Sequence, residues 1–365
     1  MEFGLSEDQQ TLKKSAREFL EAEAGIALAR RMLEDDTGFE PALWAHMAEL
    51  GWMGIAIGEA DGGVGLGMLE LALLLEEMGR VALPSPYYST VALAAPVVAA
   101  LAGPALRAEV LGAVAAGERK LTLAFAEESG SFDATGIAAV ATGSGDMWTI
   151  TGRKMFVSDA HLADQIVVLA RTGAGIGAFL VSASDCEITQ SDSLDRTRRL
   201  SVVTLDGVAG RPLGGDDAWD DIGRALDRAA VGLAAEATGV ADAVMNRSVA
   251  YVKDRNQFGR PIATFQAVSH KCADMLIATE SARSTTYFAA WALDEATPDA
   301  PLAAATAKAA ATTGAMRVCE DGIQVHGGIG FTWEHDMHIW YRRAKLCELL
   351  LGPAPVWRER VASLL

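Results

Sequence analysis

The sequence predicts an α+β protein of separate domains: a helical block, a β block and a second helical block. Three observations predict it. Apolar residues recur at helical spacing up to about residue 118. Between 119 and 215 they fall instead into short runs about ten residues apart, separated by turn signals, as in a small antiparallel barrel or sandwich. From Asp216 the helical spacing returns and holds almost to the end. Blocks in this order mean distinct domains and not an alternating α/β sheet. The expected boundaries are 1–118, 119–215 and 216–365.

In the first block, Ser6 followed by Gln9 is a capping box that opens a helix with Leu12, Ala16, Phe19 and Leu20 on one face. A second helix carries Leu43, Trp44, Met47 and Leu50 and stops at Gly51. A third covers 68–79, and alanine-rich helices fill the segment to Gly117. In the β block, strands are expected at 121–126, 136–141, 148–151, 154–157, 165–170, 177–181 and 201–205. The turns at 142–146 and 172–175 suit antiparallel neighbours. The Pro212-Leu-Gly-Gly215 stretch punctuates the entry to the last block.

Bulk properties narrow the function. The 365 residues are 50% hydrophobic and 22% charged, ample for large cores. A formal net charge of -17 argues against nucleic-acid binding through the overall field. Cys186, Cys272, Cys319 and Cys347 are scattered without CxxC spacing, which fits a reducing compartment and gives no zinc motif. The N-terminus has neither a basic n-region nor an apolar h-region. The longest apolar run, 91–103, contains Pro96 and falls short of the roughly 20 residues that span a bilayer. A cytoplasmic protein with no membrane span is expected.

Two segments carry chemistry. In the first, Tyr251 and Arg255 lie four apart on one helix face, and Gly259 and Pro261 end that helix. An arginine held at a helix end suits a phosphate, because its planar fork binds two oxygens at once. In the second, 324–334, three glycines in four residues (Gly327, Gly328 and Gly330) let backbone come close to a partner. Singly, each also reads as a surface arginine or a helix-terminating turn.

Together they are specific. Tyr-x-x-x-Arg-x-x-Phe-Gly-x-x-Ile-x-x-Phe-Gln from Tyr251, then Gln-x-x-Gly-Gly-x-Gly-Phe from Gln324, resembles the acyl-CoA dehydrogenase family over essentially the whole chain. The resemblance implies an N-terminal helical domain, a middle β-barrel and a C-terminal four-helix bundle. It implies a tetramer, homomeric or with a homologous second subunit, and FAD as cofactor. Arg255, Gln257 and Phe258 match positions at the FAD pyrophosphate, and Phe265 and Gln266 match a later flavin-contacting pair. Gln324, Val325, His326, Gly327 and Gly328 match a loop that reaches the FAD of a neighbouring subunit. Phe156, Val157 and Ser158 resemble the segment that packs an aromatic ring on the isoalloxazine and offers a hydroxyl near flavin N5. The implied reaction is α,β-dehydrogenation of an acyl-CoA thioester. A carboxylate takes the α-proton, the β-hydride goes to flavin, and electrons leave to an electron-transfer flavoprotein or similar acceptor.

The chain departs from the family at the base. The familiar C-terminal glutamate position falls on Leu351, and Pro353 and Pro355 replace two usual FAD contacts. An earlier-helix alternative falls on Ala229, with Asp227 two residues away. Glu236, in the apolar stretch Ala234-Ala-Glu236-Ala, is the candidate base, burial being expected to raise its pKa. Ala126-Glu127-Glu128 stands where relatives show Thr-Glu-Pro, which removes one side-chain contact to flavin. Three readings are open: an active enzyme with a displaced base, a non-catalytic subunit of a heteromeric dehydrogenase, and a flavoprotein of this fold with other chemistry. The glycine-rich 61–67 segment lacks a surrounding βαβ unit and reads as a loop. His335 and His338 do not make a metal motif. Arg196, Arg198 and Arg199 read as a solvated cluster.

Overall fold

The computed structural model describes residues 4–365. In chain order the N-terminal third forms α1 (Glu7–Glu23), α2 (Gly25–Met32), α3 (Pro41–Glu49), α4 (Met68–Arg80), α5 (Ala95–Leu101) and α6 (Pro104–Ala115). The capping box is present. Gln9 N donates to Ser6 Oγ at 3.2 Å, and Ser6 N donates to Gln9 Oε1 at 2.9 Å, so each side chain satisfies the other residue's backbone N–H. α3 starts on Pro41 and gives way to Gly51 at φ 75°. A π-helical stretch, Tyr88–Ala94, leads into α5.

The β segment comprises β1 (Leu121–Ala124), β2 (Val140–Ser144), β3 (Met147–Ser158), β4 (Gln165–Arg171), β5 (Ile176–Ser182), β6 (Glu187–Gln190) and β7 (Leu200–Pro212). Pairings β4–β2, β2–β3, β3–β7, β7–β5 and β5–β4 close a ring, so the sheet is a barrel. Its interior holds Trp148, Ile150, Ile166, Val168, Phe179, Val203 and Leu205. The expectation of an all-antiparallel barrel needs correction. β1 runs parallel to β4 along four residue pairs, and β2 meets β4 in parallel at Val140 and Arg171. The separate strands at 148–151 and 154–157 are one strand, bent by register shifts against β7 at 150–152 and 154–157.

The C-terminal part forms α7 (Trp219–Asp254), a small hairpin of β8 (Asn256–Gln257) and β9 (Arg260–Pro261), then α8 (Gln266–Asp294), α9 (Ala300–His326), α10 (Met337–Leu349) and α11 (Ala354–Leu364). A fifth helix thus joins the four expected. α11 seats Trp357 in a cluster with Ala230, Ala305 and Ala309.

The chain packs as two compact units. One contains Asp35–Gly67 and Pro84–Ala229, the barrel among them. The other contains the described residues up to Glu34, with Met68–Leu83 and Ala230–Leu365. Within the latter, α4 crosses α7 at glycine. A Cβ on Gly239 would lie 1.8 Å from Glu76 O, and one on Gly79 would lie 2.1 Å from Glu236 O. Helix backbones approach this closely only where no side chain intervenes.

Charged groups surround the crossing. Glu76 and Glu77 are buried. Glu76 accepts from Lys13 Nζ at 2.9 Å, Arg283 Nε at 3.0 Å and Tyr287 Oη at 2.5 Å, while Glu77 takes a two-pronged bond from Arg17 at 2.8 Å on each arm. Burial alone would raise the Glu76 pKa, but Lys13 and Arg283 overcome it and hold the carboxyl below its ordinary range. This network ties α1 and α8 to α4.

Candidate functional site

In the barrel unit, the predicted flavin-facing segment lies at the end of β3. Phe156 has a left-handed backbone, φ 55°, and the residue is 54% exposed. Val157 and Ser158 are buried. Ser158 Oγ has no hydrogen-bond partner among the described residues. A buried hydroxyl without a partner is costly, and one at this position is available to a group bound there. Beneath the segment, Lys154 is buried against Glu127 at 2.6 Å, and Glu127 also accepts from Ala138 N and Ala139 N. Burial pulls the Lys154 pKa down, opposed by Glu127. Arg198 and Arg199 are buried, not solvated as expected. Arg198 lies 4.6 Å from the Tyr88 ring centre, and Arg199 donates to Asp35 O. Only Arg196 of that cluster is exposed. Asp227 is buried on the first part of α7.

In the other unit, α7 ends at Asp254, one residue before Arg255 and earlier than the predicted stop at Gly259. The reason is the hairpin. Phe258 at φ 54° and Gly259 at φ 79° form its two-residue turn, with Asn256 opposite Pro261 and Gln257 opposite Arg260. Two positive φ values in succession suit a tight hairpin and cannot continue a helix. Arg255 is exposed, and its guanidinium forms no ion pair or hydrogen bond among the described residues. Gln257 is exposed, Phe258 is 92% exposed, Phe265 is half-buried under the Arg260 guanidinium and Gln266 is exposed at the start of α8.

At the far end of α9, Gln324 is exposed while Val325 and His326 are buried. His326 stacks on Tyr251 with ring centres 4.3 Å apart, and its Nδ1 lies 2.7 Å from Gly322 O. Burial lowers the His326 pKa against the opposing backbone bond. The glycines differ in their reasons. Gly327 terminates α9 at φ 65°, and Gly330 packs so tightly that a Cβ would stand 2.7 Å from Ile323 O. Gly328 meets nothing within 4 Å and leaves its backbone open to an approaching group.

The candidate base has a partner that its sequence setting did not suggest. Glu236 is 1% exposed and accepts from the Arg343 guanidinium, itself 0% exposed. Arg343 also donates to Leu83 O at 3.2 and 3.3 Å. Glu236 thus sits in a buried ion pair and not in a wholly apolar pocket. At the familiar base position, Leu351 packs against the Ala230, Ala305, Ala309 and Trp357 cluster. The turn that carries it is pinned by Lys308, whose ammonium donates to Cys347 O at 2.8 Å, Glu348 O at 3.1 Å and Gly352 O at 3.5 Å. Neither Lys308 nor Arg343 was singled out from sequence. Lys308 is the lone charge in the alanine-rich run 303–311, and that was the available signal.

Burial pushes the Lys308 pKa down to about 8 from 10.5. Between those values the unfolded chain holds a proton that the folded chain has released, so stability rises with pH across that window. Wild type should show a steeper rise from pH 8 to 10 than Lys308→Met, by up to about 1.4 kcal/mol per pH unit. Denaturant unfolding at several pH values measures it, and equal slopes would refute the shift.

The helix, barrel, helix order is the architecture expected of a class of flavin-dependent oxidoreductases. Family models describing the N-terminal, middle and C-terminal domains of acyl-CoA dehydrogenases match residues 6–118, 122–203 and 216–365. The chain belongs to the acyl-CoA dehydrogenase family. It is 31% identical over 354 residues to the acyl-CoA dehydrogenase IpdE2 of Mycolicibacterium smegmatis, covering 96% of each chain. It is 28% identical to the caffeyl-CoA reductase–Etf complex subunit CarC of Acetobacterium woodii, covering 99% of this chain and 98% of that one. It superposes on a chain of the ChsE4–ChsE5 complex from Mycobacterium tuberculosis with TM-score 0.90 and 29% identity, covering 100% and 98%. The function is FAD-dependent dehydrogenation of an acyl-CoA thioester, an oxidation at a CH–CH bond.

Proposed function

We propose that FAD is held by Arg255, Gln257 and Phe258, by Phe265 and Gln266, and by Phe156, Val157 and Ser158, with Gln324 to Gly328 serving a neighbouring subunit. The observation that carries this is Arg255, a guanidinium at a helix end with no anionic partner among the described residues. Its fork suits the pyrophosphate. The buried Ser158 hydroxyl is free to donate to a flavin ring atom. FAD, when bound, supplies the hydride acceptor. The chain's own residues bind it, place the Phe156 ring on it and orient it.

Arg255→Ala should weaken FAD binding at least about tenfold, since charge-assisted bonds contribute roughly 1.5–3 kcal/mol. Gel filtration followed by the visible spectrum measures retention, with far-UV circular dichroism as the check on fold. A full flavin load in the variant refutes the assignment.

Assembly as an oligomer, electron delivery to an electron-transfer flavoprotein or similar acceptor, and a cytoplasmic location complete the proposal. They are supported by the Etf-complex and ChsE4–ChsE5 relatives and by the lack, among the described residues, of a helix long and apolar enough to cross a membrane. A second reading, in which the base that takes the α-proton lies on a homologous second subunit, rests on Leu351 in its apolar cluster and Glu236 in its ion pair. Anaerobic mixing with a panel of acyl-CoA thioesters separates the two. Flavin reduction by this chain alone excludes the second reading. Reduction only after a second subunit is added supports it.

A further inference from the structure

The end of β3 is bent in an unusual way. Two non-glycine residues within four, Phe156 at φ 55° and Asp159 at φ 53°, adopt left-handed backbone. Such backbone is costly for Phe156 and tolerated by Asp159, and neighbours hold the turn that contains both. The neighbours are specific. Met155 N donates to Ala126 O at 2.8 Å, Thr122 Oγ1 to Ser158 O at 2.6 Å, and Asp159 N to Arg199 O at 2.8 Å. The Asp159 carboxylate, which is buried, accepts from Ser89 Oγ at 2.8 Å, a hydroxyl that also lies 2.9 Å from Pro86 O. Ser89 and Thr122 are fully buried.

We propose that Asp159, held by Ser89, is a positioning residue that sets the aim of the Phe156 ring and the Ser158 hydroxyl toward the flavin. This rests on the reading of Phe156 and Ser158 as flavin contacts. Asp159 directly follows Ser158, so its backbone angles fix the plane of the peptide that Ser158 shares with it. The bond from Thr122 holds the oxygen of that same peptide. The carboxylate–hydroxyl bond to Ser89 anchors the turn to the π-helical stretch, a buried element. Aspartate is tolerated in left-handed backbone, so φ alone explains its presence. The bond to Ser89 is the part that φ does not explain.

The test separates these. Asp159→Gly keeps the left-handed angle and removes the carboxylate. Ser89→Ala removes the donor and leaves Asp159. Asp159→Asn keeps both the angle and an acceptor oxygen. FAD affinity is titrated by flavin fluorescence on apoprotein, and the visible band shape of bound flavin is recorded, with Phe156→Ala as the reference. The expected result is a shifted flavin band and about tenfold weaker FAD binding for Asp159→Gly and Ser89→Ala, with Asp159→Asn close to wild type. If Phe156→Ala perturbs the flavin band while Asp159→Gly and Ser89→Ala do not, the positioning role is overturned and the flavin contacts stand. If Phe156→Ala leaves the band unchanged, both are overturned. Should Asp159→Gly fail to fold, Ser89→Ala decides alone.

Discussion

Gly239→Ala is expected to destabilise the folded chain by about 3 kcal/mol, the upper end of what overpacking a core costs. The new methyl group would stand 1.8 Å from Glu76 O and 3.0 Å from Arg80 N, both main-chain atoms of α4. Main chain cannot swing aside as a side chain can, so the two helices must separate. Separation lengthens the ion-pair contacts around Glu76 and Glu77 and opens space beside Leu74 and Val240, which are fully buried. The thermal midpoint should fall by about 4 °C, given an unfolding entropy of about 2.1 cal/mol/K per residue. Gly223→Ala is the control. It lies on the same helix with nothing within 4 Å of a new Cβ, and alanine is the better helix former by about 1 kcal/mol. Equal midpoints for the two variants would show that the crossing is not as tight as described.

Arg343→Met should be comparably damaging. It leaves the Glu236 carboxylate buried without its guanidinium, and breaking a buried pair from one side costs about 3–5 kcal/mol. The double variant Arg343→Met with Glu236→Met removes both charges and should recover much of that loss, since apolar replacement of a buried pair is often close to neutral. Chemical denaturation of the two variants measures this. Glu236→Gln bears on chemistry. A general base contributes about 10²–10⁴-fold, so loss of a base would slow flavin reduction by that order. The ion pair predicts instead a lower stability with an unchanged reduction rate per bound flavin. A hundredfold slower reduction with unchanged stability would return Glu236 to the role of base.

Much of the architecture was legible because local signals and packing agree. The Ser6 and Gln9 box, the Gly51 stop and the turn at 172–175 are short-range chemistry, and each lies where the sequence puts it. The break between α1 and α2 was not legible, because Ala24 carries no turn signal. Nor was β6, whose four residues are mostly exposed and show no apolar alternation. Parallel pairing of β1 with β4 depends on contacts far apart in sequence, which periodicity does not encode. At the site, Arg255 and the glycine loop were legible as motifs. The Glu236 environment was not, because Arg343 comes from α10, far along the chain. An apolar stretch in one helix says nothing of a charge delivered by another. Arg198 and Arg199 misled in the same way: their burial is decided by partners on other segments, among them Tyr88 and Asp35.

The crossing of α4 and α7 also bears on how the protein is made. During synthesis α4 emerges long before α7 and α8, yet its Gly79 surface packs on α7 and Glu76 completes its bonds only with Arg283 and Tyr287 of α8. Until then the nascent chain displays Leu71, Leu73, Leu74 and Leu75, all buried in the finished protein. Segments of this kind invite aggregation while they wait. The barrel, by contrast, closes from residues that leave the ribosome almost consecutively. Folding on the ribosome should therefore run out of sequence order, the barrel first and the flanking helices last. Chains cut after residue 118 should depend on chaperones to stay in solution, whereas chains that extend through α8 and beyond should not.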